Sequence, residues 1–310
     1  MLVFVLAPRV CLRVHQFSSR HKRQNFKFQF NLETVDKKSY LVECPLLNLI
    51  TIIVFTKRRH LHRRSKFLVI NLAIVDFLVG LVSVPALAMI RVWYLCYARD
   101  YNDAQTREYK ILVLVILRDL FPLTSLVNLA AISLERLHAT FFPFKHRFTK
   151  KWVYGVIISS TWLVAPFCET SLSVLHFYLK RDTSISLMVS LIWYVFFLSI
   201  ICISYISLFI KVRYGHNPQH HGATNRDRKL TITLIWVTFA SLLSWLPFFV
   251  VTTLRYFNKD ISNTLSNRSY FYFTSAMYLS VGVNSLANPL VYTVRMPEFR
   301  AGLVKIFRKT

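Results

Sequence analysis

The residues of this sequence that could do chemistry are ionisable and amide side chains set inside long apolar runs. One run carries Asp76, in Asn71-Leu72-Ala73-Ile74-Val75-Asp76, and the next carries Arg118, Asp119, Ser125 and Asn128 before ending in Glu135-Arg136-Leu137. Two later runs hold Ser244-Trp245-Leu246-Pro247 and, beyond Asn284, Asn288-Pro289-Leu290-Val291-Tyr292. A charge in hydrocarbon costs several kcal/mol unless it finds a partner, so each intramembrane ionisable group is a functional suspect. Carboxylate, hydroxyl and amide oxygens suit a hard cation. An arginine beside a glutamate forms a strong charge-assisted pair. Pro247 and Pro289 each remove a backbone hydrogen bond and bend a helix, next to the bulky Trp245 and Tyr292. Against this stands the plainer reading, that polar groups in a bundle only hydrogen-bond neighbouring helices. No nucleophile–base set emerges, which argues against an enzyme. Cys11, Cys44, Cys96, Cys168 and Cys202 are scattered without a CxxC pair, and His216, His220 and His221 fit a solvated polar loop better than a metal site.

The elements that must position these groups are membrane spans. With 54% hydrophobic and 17% charged residues and 26 Phe, the 310-residue chain is too apolar for soluble domains of this size. Six runs, at about 67–91, 111–134, 152–176, 185–210, 230–254 and 270–294, reach the roughly 20 residues that cross a bilayer. A shorter seventh, Tyr40 to Phe55, is interrupted by Glu43, Cys44 and Pro45. The formal net charge of +25 follows the topology. Lys57, Arg58, Arg59, Arg63, Arg64 and Lys66 fall in one connection, Lys145, Arg147, Lys150 and Lys151 in a second, Lys211, Arg213, Arg226, Arg228 and Lys229 in a third, and Arg295, Arg300, Lys305, Arg308 and Lys309 in the tail. The alternate connections hold fewer basic residues, partly balanced by acids. By the positive-inside rule the basic face and the C-terminus are cytoplasmic, and the N-terminus is outside. A nucleic-acid surface would need a basic stripe interleaved with aromatics on a soluble face, and none is present. Phe299, Leu303 and Phe307 fall on one side of the tail, away from Arg300 and Lys305, which predicts a short amphipathic helix on the inner leaflet.

The order of these motifs resembles the rhodopsin-like, class A G-protein-coupled receptors, from about Leu46 to Phe307. Asn48 matches the asparagine of the family's first span, and Leu72 to Asp76 the LxxxD of its second. Glu135-Arg136-Leu137 is similar to the D/E-R-Y triplet, with Pro143 seven residues after the arginine and then Phe144. Trp162 fits the fourth-span tryptophan, Tyr205 the fifth-span tyrosine, and Ser244-Trp245-Leu246-Pro247 the CWxP motif. Asn288 to Tyr292 is a full NPxxY, and Phe299 suits the amphipathic eighth helix.

The resemblance implies an all-α seven-transmembrane bundle at the plasma membrane that converts extracellular ligand binding into activation of a heterotrimeric G protein. It implies a resting state in which Arg136 pairs with Glu135 and with Asp227 at the start of the sixth span. Activation would swing the sixth helix about Pro247 and release Arg136 toward Tyr205 and Tyr292. Asp76, Ser125, Asn284 and Asn288 match the family's sodium positions, with a water-filled polar cluster as the alternative. Arg118, Asp119, Trp245 and Tyr278 fall in the ligand-pocket region. Arg118 stands eighteen residues before Arg136, where amine receptors of the family carry an aspartate; Asp119 is about 100° further around the helix. That counts against an amine and makes an acidic or peptide ligand meeting Arg118 at least as plausible; the equal alternative is that Arg118 and Asp119 only pair with neighbours near the outer mouth. The seventh span has no lysine, which excludes a retinal Schiff base.

Some positions depart from the family. Ile111 replaces the cysteine at the top of the third span, and residues 170–185 contain none, so the usual extracellular disulfide is not expected. Phe197 replaces the fifth-span proline and Ser241 a sixth-span phenylalanine. Pro122 should bend the third helix within the pocket region, and Asn267-Arg268-Ser269 is one glycosylation sequon. The expected organisation is a basic segment at 1–39, a receptor domain at 40–295 and an amphipathic tail at 296–310. Because Lys37, Lys38 and Glu43 fall where the outer half of the first span should lie, residues 1–39 are expected to replace a true start through an alternative or wrongly joined first exon. Two other classes remain: a nonsignalling receptor-like product, and a polytopic transporter, which predicts internal repeats that the sequence lacks.

Overall fold

The computed structural model describes residues 43–57, 66–97, 104–179, 183–214, 239–247, 283–294 and 297–307, together with 232, 235–236, 250, 253–254 and 280. Residues 1–39, the histidine-bearing loop, Asp227, Asn267 and Tyr278 lie outside them. The described elements are helices: α1 (43–57), α2 (Lys66–Leu78, a π-helical turn Val79–Ser83, then Val84–Tyr97), α3 (Ala104–Phe141), α4 (Lys151–Leu179), α5 (Thr183–Tyr214), α6 (239–247), α7 (283–294) and α8 (Pro297–Phe307). A short loop helix, Pro143–Phe148, joins α3 to α4. The segments Lys66–Ile90, Tyr109–Phe141, Lys151–Leu172 and Leu191–Lys211 are each long and apolar enough to cross a membrane. They coincide with four of the predicted runs. Helix α3 begins at Ala104, so part of the polar stretch assigned to a loop is helical, a difference that hydropathy cannot detect because helix does not stop where lipid does.

The π turn in α2 has a local cause. Pro85 has no N–H for the carbonyl four residues back, and its ring would crowd that carbonyl. Widening the preceding turn, with the Val84 N–H reaching back to the Val79 carbonyl, accommodates it. Helix α1 packs against this turn. A Cβ on Gly80 would lie 2.7 Å from Cδ of Pro45, and Cys44 Sγ donates to the Asp76 carbonyl at 3.6 Å. Glu43, Cys44 and Pro45, which the hydropathy pattern marks as an interruption, are therefore helical, and Cys44 and Pro45 form the contact of α1 with α2. The described part of α1 is about 22 Å long at 1.5 Å per residue.

Hydrogen bonds between side chains fix the relative rotation of the helices. Asn71 is buried between α2, α3 and α4: its Nδ2 donates to Asn128 Oδ1 at 3.2 Å and to Thr161 Oγ1 at 3.4 Å, while its Oδ1 accepts from Trp162 Nε1 at 2.9 Å. Asn128 Nδ2 returns to the Leu68 carbonyl at 3.2 Å. Pro122 lies inside α3, where it has no N–H to donate to the Arg118 carbonyl, and the adjacent Leu117 carbonyl accepts from Ser83 Oγ at 2.9 Å. Neighbouring helices commonly supply such donors near intramembrane prolines. At the opposite end Phe299 of α8 is buried against Phe55 of α1 and Tyr292 of α7, with ring centroids 5.6 and 6.2 Å away. Leu303 packs on the same core while Arg300 and Lys305 are exposed, which is the predicted amphipathic arrangement.

Candidate functional site

Three polar sites lie along the bundle. Toward the end of the bundle away from the loop helix, Arg118 and Asp119 pair with each other through both Nε and Nη2 of the guanidinium. Both side chains are partly exposed. Deeper in, Trp245 is buried, with its ring 5.1 Å from that of Tyr194 on α5. Phe197, at the position without the family's proline, stacks on Trp193 at 6.3 Å. Ser241, one turn before Trp245, is also buried.

The middle site centres on Asp76, fully buried on α2. Its Oδ1 accepts from Ser125 Oγ at 2.8 Å and Ser285 Oγ at 3.0 Å, and its Oδ2 accepts from Asn288 Nδ2 at 2.5 Å. One carboxylate thus joins α2, α3 and α7. Asn48 adds α1: its Nδ2 donates to the Ser285 carbonyl and to the Cys44 carbonyl, both at 3.0 Å. The amide oxygens of Asn284 and Asn288 are buried and accept no hydrogen bond among the described residues. The Asp76 carboxylate, the Ser125 and Ser285 hydroxyls and the spare amide oxygen of Asn288 form an all-oxygen donor set of the kind that fits a hard cation, and no hydrogen bond among the described residues joins Asn284 to it. Pro289, after Asn288, is buried in α7, while Pro247 in α6 is exposed.

The third site is at the α3 end. Arg136 donates to Glu135 Oε2 from Nε and Nη2, both at 2.5 Å, and both side chains are buried. Glu135 Oε1 accepts from Tyr154 Oη of α4 at 3.2 Å and lies 3.5 Å from His146 Nε2 of the loop helix. The Arg136 carbonyl accepts from Thr140 Oγ1 at 2.9 Å. Buried charges persist only when paired and hydrogen-bonded, and Glu135 meets that demand with three different elements. Pro143 opens the loop helix at its first position, a natural place for a residue without an N–H, and Phe144 after it is 76% exposed. Tyr205 of α5 and Tyr292 of α7 are buried, and the Tyr292 hydroxyl has no hydrogen-bond partner among the described residues.

Sequence reasoning brought together Asp76, Ser125 and Asn288, and Glu135 with Arg136. It missed Ser285, Asn71, Tyr154, His146 and Tyr194, whose roles depend on which neighbour they face. It also missed Glu169, buried in α4, which the rule that flagged Asp76 could have found, since it too interrupts an apolar run.

A family model described as 7 transmembrane receptor (rhodopsin family) matches residues 47–292. Neuropeptide FF receptor 2 of Mus musculus is 23% identical over 310 residues, covering 87% of this chain and 72% of its own length. Histamine H2 receptor of Homo sapiens is 25% identical over 289 residues, with 84% and 75% covered. Trace amine-associated receptor 5 of Pan troglodytes is 27% identical over 269 residues, with 78% and 75% covered. All three are receptors and not enzymes. This multi-pass membrane protein belongs to the rhodopsin family of seven-transmembrane receptors.

Proposed function

We propose that the chain is a plasma-membrane receptor that converts binding of an extracellular ligand into activation of a heterotrimeric G protein at its cytoplasmic face, with the N-terminus outside and the C-terminus inside. The observation that carries this reading is the buried Glu135–Arg136 pair, held by Tyr154 and His146 at the base of α3. An arginine buried by a partner on its own helix is a two-state element: outward movement of α6 about Pro247 would open a space beside it, with Tyr205 and Tyr292 as new partners. Asp227, at the start of the sixth span in the sequence, would add a partner in the resting state. Phe144 would seat against the G protein.

The ligand pocket would be lined by Arg118, Asp119, Trp245 and Tyr278. Relatives named for a neuropeptide and for amines bracket the ligand class. The guanidinium of Arg118 is paired with Asp119, so an acidic or peptide ligand would engage it by displacing that carboxylate. Asp76, Ser125, Asn284 and Asn288 would hold a sodium ion, and the spare oxygens of the two asparagines support that reading. Bound there, the ion would supply positive charge that the carboxylate otherwise lacks. Asn267 would carry a glycan on the external side.

With an external tag to report surface arrival, the wild type should raise second-messenger output above untransfected cells. Arg136→Ala should reach the surface equally and lose that output. Equal output from both would refute the role of Arg136.

A further inference from the structure

Between α3 and α4 the chain presents an aromatic and basic surface of which the receptor reading uses only Phe144. Phe144 and Phe148 lie four residues apart on one face of the loop helix, 76% and 80% exposed, while His146 turns inward to Glu135. Trp152, at the start of α4, is 64% exposed and begins a stripe of exposed apolar side chains, Val156, Leu163 and Phe167, at helical spacing along α4. In a membrane-spanning helix that stripe is the lipid-facing side. Trp152 sits at its polar end, the position that tryptophan favours at a membrane interface. The charge here has one sign: Lys145, Lys150 and Lys151 are exposed, Arg147 adds a fourth cation, and no Asp or Glu occurs from 137 to 168. Lys145 Nζ lies 5.5 Å from the Phe142 ring centroid, so cation and aromatic are interleaved.

We propose that the loop helix and the first turn of α4 form a docking surface for anionic phospholipid. Phe148 and Trp152 enter the acyl boundary, and Lys145, Lys150 and Lys151 hold the phosphate headgroups. Charge complementarity selects anionic over zwitterionic lipid, and the lipid-facing stripe of α4 selects a bilayer over a soluble acidic partner. Lipid held there would brace the loop helix and so keep His146 against Glu135.

The test uses the full chain, purified and placed in nanodiscs with equal amounts of phosphatidylserine and phosphatidylcholine, the lipids retained after re-extraction being measured by native mass spectrometry. Both leaflets are identical and no G protein is present, so the result is independent of the topology and signalling assignments. The wild type should retain phosphatidylserine preferentially. Each basic residue near an anionic surface is worth about fivefold, so Lys145→Gln/Lys150→Gln/Lys151→Gln should lower that preference at least about tenfold. Phe148→Ser should lower total retention of both lipids. A control with Lys57→Gln/Lys66→Gln/Lys305→Gln, which removes the same charge elsewhere, should keep most of the preference. Equal loss in control and triple variant, or an unchanged preference in the triple variant, would overturn the proposal. All the substituted side chains at the site are exposed, and an unchanged unfolding temperature would establish that the variants fold.

Discussion

At the residue scale, the sites are built from small polar side chains that each join two or three helices. Asn71 is the clearest case, because its two amide atoms serve Asn128, Thr161 and Trp162 together. Interhelical hydrogen bonds in membranes contribute about 0.6 kcal/mol on average in double-mutant cycles. Asn71→Ala and Trp162→Phe should each lower thermal stability, and the double variant should show coupling of about that size. Strict additivity would show that the Trp162–Asn71 bond does not contribute. Asp76 makes a different prediction. If its oxygen-rich surroundings hold sodium, replacing choline chloride by sodium chloride should raise the unfolding temperature of the wild type and leave Asp76→Asn unmoved. A shift of equal size in both would dispose of the sodium assignment. Asp76, Ser125 and Asn288 were legible in the sequence because type and spacing single them out. Ser285 was not, since a serine in an apolar helix has no signature until the rotation of that helix is known.

At the element scale, the first two helices depend on close approach. Adding a methyl to Gly80 would place it 2.7 Å from the Pro45 ring, and forced overpacking costs about 1–3 kcal/mol. At Gly155 nothing lies within 4 Å, so the same substitution there should only gain helix propensity, by about 0.5–1 kcal/mol. Gly80→Ala should therefore lower the unfolding temperature while Gly155→Ala leaves it unchanged or raises it. The opposite order would contradict the α1–α2 packing. Phe299→Ala, which empties the contact with Phe55 and Tyr292, should cost about 3 kcal/mol and loosen α8, measurable as faster proteolysis of the tail. Hydropathy placed the four long described spans, with the largest differences at Phe141, where the predicted run stops at 134, and at Leu191, where it starts at 185, because lipid sets their approximate length. It marked Glu43-Cys44-Pro45 as an interruption because hydropathy scores lipid contact, whereas these residues are helical, with Cys44 buried against α2 and Pro45 filling the notch above Gly80. The π turn was likewise invisible, although Pro85 gives its cause.

At the scale of the whole molecule, three of the described polar clusters mark stations along the bundle: Arg118 with Asp119 at one end, Asp76 in the middle, and Glu135 with Arg136 beside the loop helix. Family membership was legible from motif order alone, since each motif occupies its own span. Which ligand is bound was not, because it depends on loops and rotamers that spacing does not encode. The most direct test of the receptor proposal is GDP release from purified heterotrimeric G proteins, one Gα class at a time, with the full chain in nanodiscs. The wild type should accelerate release for at least one class, and Arg136→Ala, verified as folded by a cooperative unfolding transition, should not. Release rates identical for wild type and Arg136→Ala across every class would contradict it.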